Sequence, residues 1–361
     1  MSFNTPHRFS GLRVVEFANV LAGPAAGMFF AELGAEVIKV EHKRGGDITR
    51  GWKLPLENPQ AEHSAYFCAV NWGKKHLFLD LDDAQDRAHA QSLALAADVV
   101  IANFKPSAAR RFGLDAAALR AANPALIYGR IQAFADPDDD SPAFDALLQA
   151  EAGFMYMCGE ADGPPVKMPV ALIDLLAAHQ LKEGLLLALL ERRETGEGCE
   201  VSVSLIESAL ASLANQASNY LMTGHIPGRM GARHPNIAPY GDLYACADGA
   251  LLLLAVGSER QFEALCKAAG HGEWVGDPRF ARNETRVIHR EALNELLGVV
   301  FLQKKRDEWL ALLKAKGVPA ARIRNMREVF DMPEAQALIF EDRLPGGSTG
   351  RRLRTNVFKK R

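Results

Sequence analysis

Leu12-Arg13-Val14-Val15-Glu16-Phe17 and Glu36-Val37-Ile38-Lys39-Val40-Glu41 bracket a run at 24–33 that carries Ala25, Ala26 and Ala31. The two flanks are short and rich in β-branched residues, which suits strands; the segment between them suits a helix. The result is a β-α-β unit. The pattern recurs downstream, with strands at 76–81, 98–102 and 125–131 and helices at 84–96 and 116–122. Alternation of this kind predicts a parallel sheet with right-handed crossovers and helices on both faces. Ligands of such sheets bind beyond the carboxyl ends of the strands.

Further on, Lys167-Met168-Pro169-Val170-Ala171-Leu172-Ile173-Asp174-Leu175-Leu176-Ala177-Ala178 leads into Gly184-Leu185-Leu186-Leu187-Ala188-Leu189-Leu190. The apolar content is too continuous for a surface helix and predicts a mostly buried one over 171–193. It stops at Thr195-Gly196-Glu197-Gly198, after Arg192 and Arg193 have placed positive charge at the negative end of the helix dipole. Asp174 lies near the start, where free backbone amides can meet a carboxylate. At about 100° per residue, Ala177 and Ala178 share its side while Glu183 points away. Two readings stand side by side: an acid of the first turn that caps the helix, and a reactive carboxylate that small neighbours leave open to approach.

After a strand at 200–204 comes one long helix over 206–222, and then Gly224, Pro227, Gly228 and Gly231 mark a linker. Segments 243–247 and 250–256 bracket Asp248-Gly249, a hairpin signal that opens a second domain. Its helices are expected at 258–269, 286–304 and 306–316, with a strand near 319–323. The basic tail from Arg351 to Arg361 reads as a frayed, solvated end.

With 361 residues, 48% hydrophobic content and a net charge of -2, the chain has the makings of a soluble protein with two cores and lacks the basic excess of a nucleic-acid binder. The five cysteines are scattered and odd in number, so neither a disulfide framework nor a metal site is expected, and a reducing cytoplasm fits. The first residues show no secretory pattern, and no uncharged apolar run reaches the ~18 residues of a membrane span. Basic residues gather where ligands of a parallel sheet would sit: His42-Lys43-Arg44 follows one strand, and Lys105, Arg110 and Arg111 follow Asn103-Phe104. Lys74 and Lys75 stand at the entrance to another strand. Together these clusters suit a ligand with several phosphates; taken singly, each reads as the usual way to solvate a loop. The G-x-G-x-x-G fingerprint is absent, which disfavours a nicotinamide cofactor.

Read together, Val20-Leu21-Ala22-Gly23-Pro24, Leu33 to Glu41, Gly46-Asp47-Ile48-Thr49-Arg50-Gly51-Trp52, Asn71 to Lys75, Asn103-Phe104, the Asp174 helix and Thr195 to Gly198 resemble the family III CoA-transferases. That group holds formyl-CoA and carnitine CoA-transferases and the related α-methylacyl-CoA racemases. The resemblance implies a Rossmann-like α/β large domain over 1–205 with a C-terminal return over 330–361. It also implies a linker at 206–230, a small α+β domain over 231–329, and an interlocked homodimer. It makes Asp174 the nucleophile and assigns contacts with coenzyme A to Val20, Leu21, His42, Lys75 and Arg111, with no metal. Leu21 and His42 depart from the formyl-CoA transferase pattern, which has glutamine and arginine there. The racemase branch carries a histidine thirty residues before the aspartate, followed by an aspartate; this chain has Phe144 and then Asp145.

The expected activity is therefore transfer of CoA from an acyl-CoA donor to a carboxylic acid through a covalent aspartyl intermediate. The alternatives are a racemase or epimerase and a CoA-binding protein without turnover. An acceptor pocket is expected between the domains, with His234, Asn236 and Tyr240 as candidate contacts and the amides near Gly228 and Gly231 as candidate oxyanion donors.

Overall fold

The computed structural model describes residues 8–343 and 349–358. Six strands form one fully parallel sheet: β1 (Arg13–Glu16), β2 (Glu36–His42), β3 (Lys75–Leu79), β4 (Val99–Ala102), β5 (Ile127–Gln132) and β6 (Glu200–Ser204), in the spatial order β3-β2-β1-β4-β5-β6. The order reverses between β1 and β4, and this is the switch point at which loops diverge to either side and leave a crevice.

Period-two alternation explains why the strands read as nearly unbroken apolar runs, since both faces are covered. Val14, Val37, Val99, Ile101 and Ile127 join a core with Phe29 and Phe30 of α1 (Ala22–Glu32). Val15, Val40, Val100, Ala102 and Tyr128 join another with Ala90 and Ala94 of α3 (Ala84–Leu95), following α2 (Ala65–Asn71) in the chain. The short helices α4 (Pro106–Phe112) and α5 (Ala116–Ala122) complete that second layer through Phe112 and Leu119.

Beyond β5 come α6 (Asp145–Glu151), α7 (Phe154–Met157) and the long α8 (Leu172–Thr195). α8 ends as its sequence dictates, with Gly196 left-handed at φ 78°. It is buried along one stripe, Ile173, Asp174, Ala177, Ala178, Leu181, Leu185 and Ala188, and not all round as the apolar content predicts. Leu187 and Leu190 stay 61% and 60% exposed. The helix lies close to β6 at Gly184, where a Cβ would fall 2.5 Å from Val201 Cγ1.

The single helix expected over 206–222 is two, α9 (Leu205–Ala211) and α10 (Ala214–Thr223). Ser208 Oγ and Ser212 Oγ each bond the carbonyl four residues back, both at 2.7 Å, and Ala214 takes φ 49°. Hydroxyls that compete for helical carbonyls favour such a break over a continuous run.

The chain divides into two compact units, one of residues 1–154, 167–217 and 337–361, the other of 155–166 and 218–336. The second holds an antiparallel sheet of β7 (Tyr240–Ala245), β8 (Leu251–Ala255) and β9 (Ala320–Arg322). Its core includes Phe262 of α11 (Glu259–Ala269), Leu293 and Leu297 of α13 (Arg290–Phe301), and Trp309 and Leu313 of α14 (Arg306–Ala315). The helix expected at 286–304 is likewise interrupted, at His289, between α12 (Asn283–Ile288) and α13.

The basic tail is a correction. Thr349–Leu353 forms β11, antiparallel to β10 (Ile339–Arg343) in the first unit, and the Arg352 guanidinium pairs with Glu32 in a nearly dry setting over Trp72 and Phe340. Arginine in this position is a buried anchor and not a solvating charge. Lys359, Lys360 and Arg361 lie outside the described residues. Among the described residues no helix is long and apolar enough to cross a membrane.

Candidate active site

At the switch point the loops after β1 and β4 are tied together. Asn19 N donates to Asn103 Oδ1 and Asn103 Nδ2 donates back to Asn19 O, both at 3.0 Å. The next residue, Val20, sits at φ 72°, a left-handed conformation that a β-branched side chain rarely adopts. Its amide donates to the Asp47 carboxylate, at 3.2 Å to Oδ2.

A buried four-charge network stands behind this strained loop. Lys39 Nζ lies 3.0 Å from both Glu16 and Asp47 and also donates to Ala18 O at 2.5 Å; Lys74 Nζ lies 2.8 Å from Glu16. All four side chains are fully buried, and their charges sum to zero, which is what allows ions in a dry core. Burial pulls Lys74 down to about 8 in spite of Glu16, whereas at Lys39 the two carboxylates outweigh burial and raise the pKa. The sequence reads Lys74 as a charge for a phosphate ligand or for solvent, and the structure instead seals it against Glu16. Asp47 continues the connection outward, since its own amide donates to Glu41 Oε2 at 2.8 Å. Arg50 grips Glu41 at 2.6 and 2.7 Å. Burial raises the Glu41 pKa, but Arg50 and His76 together hold that carboxyl well below the ordinary range.

Val20 and Leu21 form one wall of a cavity of about 530 Å³ in the first unit. Asp174 lies in its lining together with Trp52, Tyr66, Phe144, Asp145, Lys167 and the 169–171 segment. Asp174 is 7% exposed, enough to be reached and too little to be hydrated freely.

The helix amides expected to meet Asp174 go elsewhere. Ile173 N and Asp174 N donate to Asp145 Oδ1, at 2.7 and 3.3 Å. Asp145 Oδ2 accepts from Gln149 Nε2 at 2.5 Å, and Gln149 Oε1 accepts from Met168 N at 2.8 Å. Asp174 is thus not the cap of α8; the N-cap position is Ala171, which has no side-chain bond. Among the described residues no group donates to the Asp174 carboxylate. Burial first, and the negative charge of Asp145 second, push it up to about 7. Tyr66 is pushed up to about 12 by burial and the same two carboxylates, and its ring meets Trp52 edge-on at 5.1 Å. An accessible carboxylate with no donor can attack an electrophilic carbon or carry a proton near neutrality.

Of the residues assigned to CoA, the cavity brings Val20 and Leu21 beside Asp174. His42 ends β2, exposed, its Nδ1 accepting from Arg44 N at 3.0 Å. Arg111 on α4 pairs with Asp82 at 3.2 Å and lies over the Phe112 ring. His42 is the carboxyl-terminal residue of β2, and Arg111 stands on the helix that follows the carboxyl end of β4. Lys75 opens β3, at the opposite end of the parallel sheet, and holds Glu36 at 2.5 Å; the structure does not bring it to the crevice.

The remaining candidates belong to the second unit. Gly231 N is taken by Gly159 O at 2.9 Å, which removes it as a free oxyanion donor, and His234 Nδ1 accepts from Asn236 N at 3.1 Å. Sequence reasoning missed Tyr66, Lys167 and the role of Asp145; the one available signal was an acid at the first position of a helix twenty-nine residues before Asp174. Among the described residues no cluster of three or more His, Cys, Asp or Glu is arranged to hold a metal.

Comparison with known proteins gives matches along most of the chain. The family model for CoA-transferase family III matches residues 9–358. The chain is 40% identical over 333 residues to a succinate–glutarate CoA-transferase of Agrobacterium fabrum, covering 91% of this chain and 83% of that protein. It is 34% identical to an acetyl-CoA:oxalate CoA-transferase of Acetobacter aceti, covering 91% and 84%. Among solved structures, a CAIB/BAIF family protein from Brucella suis superposes with a TM-score of 0.83 at 39% identity, covering 97% of this chain and 92% of that one.

Proposed function

The chain belongs to the family III CoA-transferases, and from that premise we propose that it passes CoA between two carboxylic acids through a covalent intermediate on Asp174. One observation carries the reading: Asp174 is a buried carboxylate at a cavity wall, reachable and without a hydrogen-bond donor among the described residues. An Asp174 oxygen attacks the thioester carbonyl, the C–S bond breaks, and CoA leaves as thiolate, giving an aspartyl mixed anhydride. The thiolate then attacks the Asp174 carbonyl and expels the donor acid as carboxylate. The acceptor carboxylate opens the resulting aspartyl thioester, and the returning thiolate takes the acceptor acyl group and frees Asp174. Electron pairs balance at each step.

In this reading Val20 and Leu21 guide the thioester, while His42 and Arg111 lie on the side where the phosphates of CoA would run. Phe144 lines the same cavity and carries no proton, which favours transfer over racemisation.

The substrates we propose are dicarboxylic acids. Succinate, glutarate and oxalate, named for the two relatives, are all dicarboxylic. Lys167 is the cationic side chain of the cavity lining, and its Nζ has only the Met168 carbonyl, at 3.3 Å, among the described residues. It is placed to receive a distal carboxylate. The proposal extends to a homodimer, in which a second copy covers the exposed leucines of α8.

Isotope-labelled CoA exchange across a panel of acyl-CoAs and acids tests the activity. Hydroxylamine added with a productive donor should leave a hydroxamate on Asp174, seen by peptide mass spectrometry, and Asp174→Asn should lose at least about a thousandfold in rate with its fold intact. Exchange at the wild-type rate in that variant would sink the covalent route. Lys167→Gln should raise KM about tenfold for dicarboxylic acceptors, equivalent to one charged hydrogen bond, and leave monocarboxylic acceptors unaffected.

A further inference from the structure

Asp145 holds two of the free amides of the first turn of α8, those of Ile173 and Asp174, on one oxygen and the Gln149 side chain on the other. It is buried, 8% exposed, and Gln149, 1% exposed, passes the connection to the Met168 amide. Two donors that could quiet a carboxylate at the helix N-terminus are therefore spent on Asp145 and not on Asp174. Both carboxylates line the same cavity.

We infer that Asp145 is a positioning residue for the reaction: by taking the helix amides and fixing a negative charge beside Asp174, it leaves that side chain uncapped and energetically primed to give up its charge. The inference rests on the reading of Asp174 as nucleophile. When Asp174 forms its bond to the acyl carbon, its negative charge departs with the CoA sulfur. Repulsion from Asp145 is present before attack and gone after it, so the pair favours acylation over the resting carboxylate. A simple capping acid would have no such differential effect.

Other titratable groups face the cavity from the elements around it. Tyr66 on α2, with its pKa at about 12, is neutral through the working range. Lys167 is exposed, and its charge is screened by solvent. Asp47, beyond Val20, is matched by Lys39. On α8 itself, His179 is exposed and Lys182 lies two turns further on. Asp145 alone combines burial, negative charge and contact with the first turn.

The test uses the full chain with Asp174→Asn to assign its signal. Carbon-13 carboxyl NMR should show wild-type Asp174 titrating near neutrality. In Asp145→Asn, whose side-chain oxygen can still accept the two amides, the midpoint should fall by about one pH unit or more, and the acid limb of the exchange rate should fall with it. An Asp174 midpoint unchanged in that variant, or one at the ordinary carboxylate value in the wild type, would overturn the inference. The wild-type measurement stands even if Asp145→Asn does not fold. Hydroxamate formation at Asp174 in the wild type separates the two proposals: its absence refutes the nucleophile, whereas its presence with an unmoved midpoint refutes the role of Asp145.

Discussion

Asp174 carries its charge at a cost to folding, and the sign of that cost can be read from pH. Its folded pKa, about 7, stands above the ordinary 3.8. The protonated form is therefore favoured by folding; this stability is fully present below the ordinary value and is lost as pH rises through about 7. At about 1.4 kcal/mol per pH unit the loss is on the order of 4 kcal/mol at most. Asp174→Asn abolishes the titration while keeping the shape. We expect this variant to unfold at higher temperature than the wild type at pH 8 and to lose most of that advantage at pH 5, as differential scanning calorimetry would show. Equal differences at the two pH values would mean that Asp174 is not strained by burial.

Among the elements, the sharpest contrast lies between two adjacent lysines. Lys74 is sealed in the network that backs the Val20 loop; the Lys75 side chain is 71% exposed on a surface pair. Removing Lys74 leaves Glu16 with half its compensation in a dry core, and breaking a buried pair from one side costs about 3–5 kcal/mol. A surface pair contributes ~0–1 kcal/mol. Urea denaturation should accordingly rank Lys74→Met far below Lys75→Met. Similar midpoints would show that the network does not support the loop. The network also explains how a valine is kept at φ 72°, because the Asp47 carboxylate that receives its amide is itself anchored by Lys39 and Thr49.

At the scale of the molecule, the chain leaves large apolar side chains in water. Leu187 and Leu190 on α8 are joined in the first unit by Leu210, 49% exposed, and in the second by Leu221 and Met222, 78% and 83% exposed. Leu187 and Leu190 lie three apart on one helix, and an apolar pair of this kind is what a second copy would cover in the proposed homodimer. Under the proposed homodimer, light scattering after size exclusion should give about twice the 39.4 kDa chain mass. A monomer mass at micromolar concentration would remove the dimer from the proposal.

The α/β class was legible in the sequence because it rests on period and spacing: short β-branched runs alternating with helical ones allow few arrangements other than a parallel sheet covered on both faces. The end of α8 at Gly196 was legible for the same local reason. Asp174 could be picked out as an acid in an apolar run, but not what surrounds it. The partner that takes its amide is twenty-nine residues away, the tyrosine whose pKa responds to it is on another helix, and Lys74, just ahead of β3, turns inward to Glu16 while Lys75, the first residue of that strand, stays on the surface. Helix breaks at 212–214 and His289 turned on serine back-bonding and local dihedrals that an apolar period does not record. Covalent neighbours determine periodicity, but the protonation of a buried carboxylate depends on charges and donors brought to it through space, and those were decided only when the chain folded.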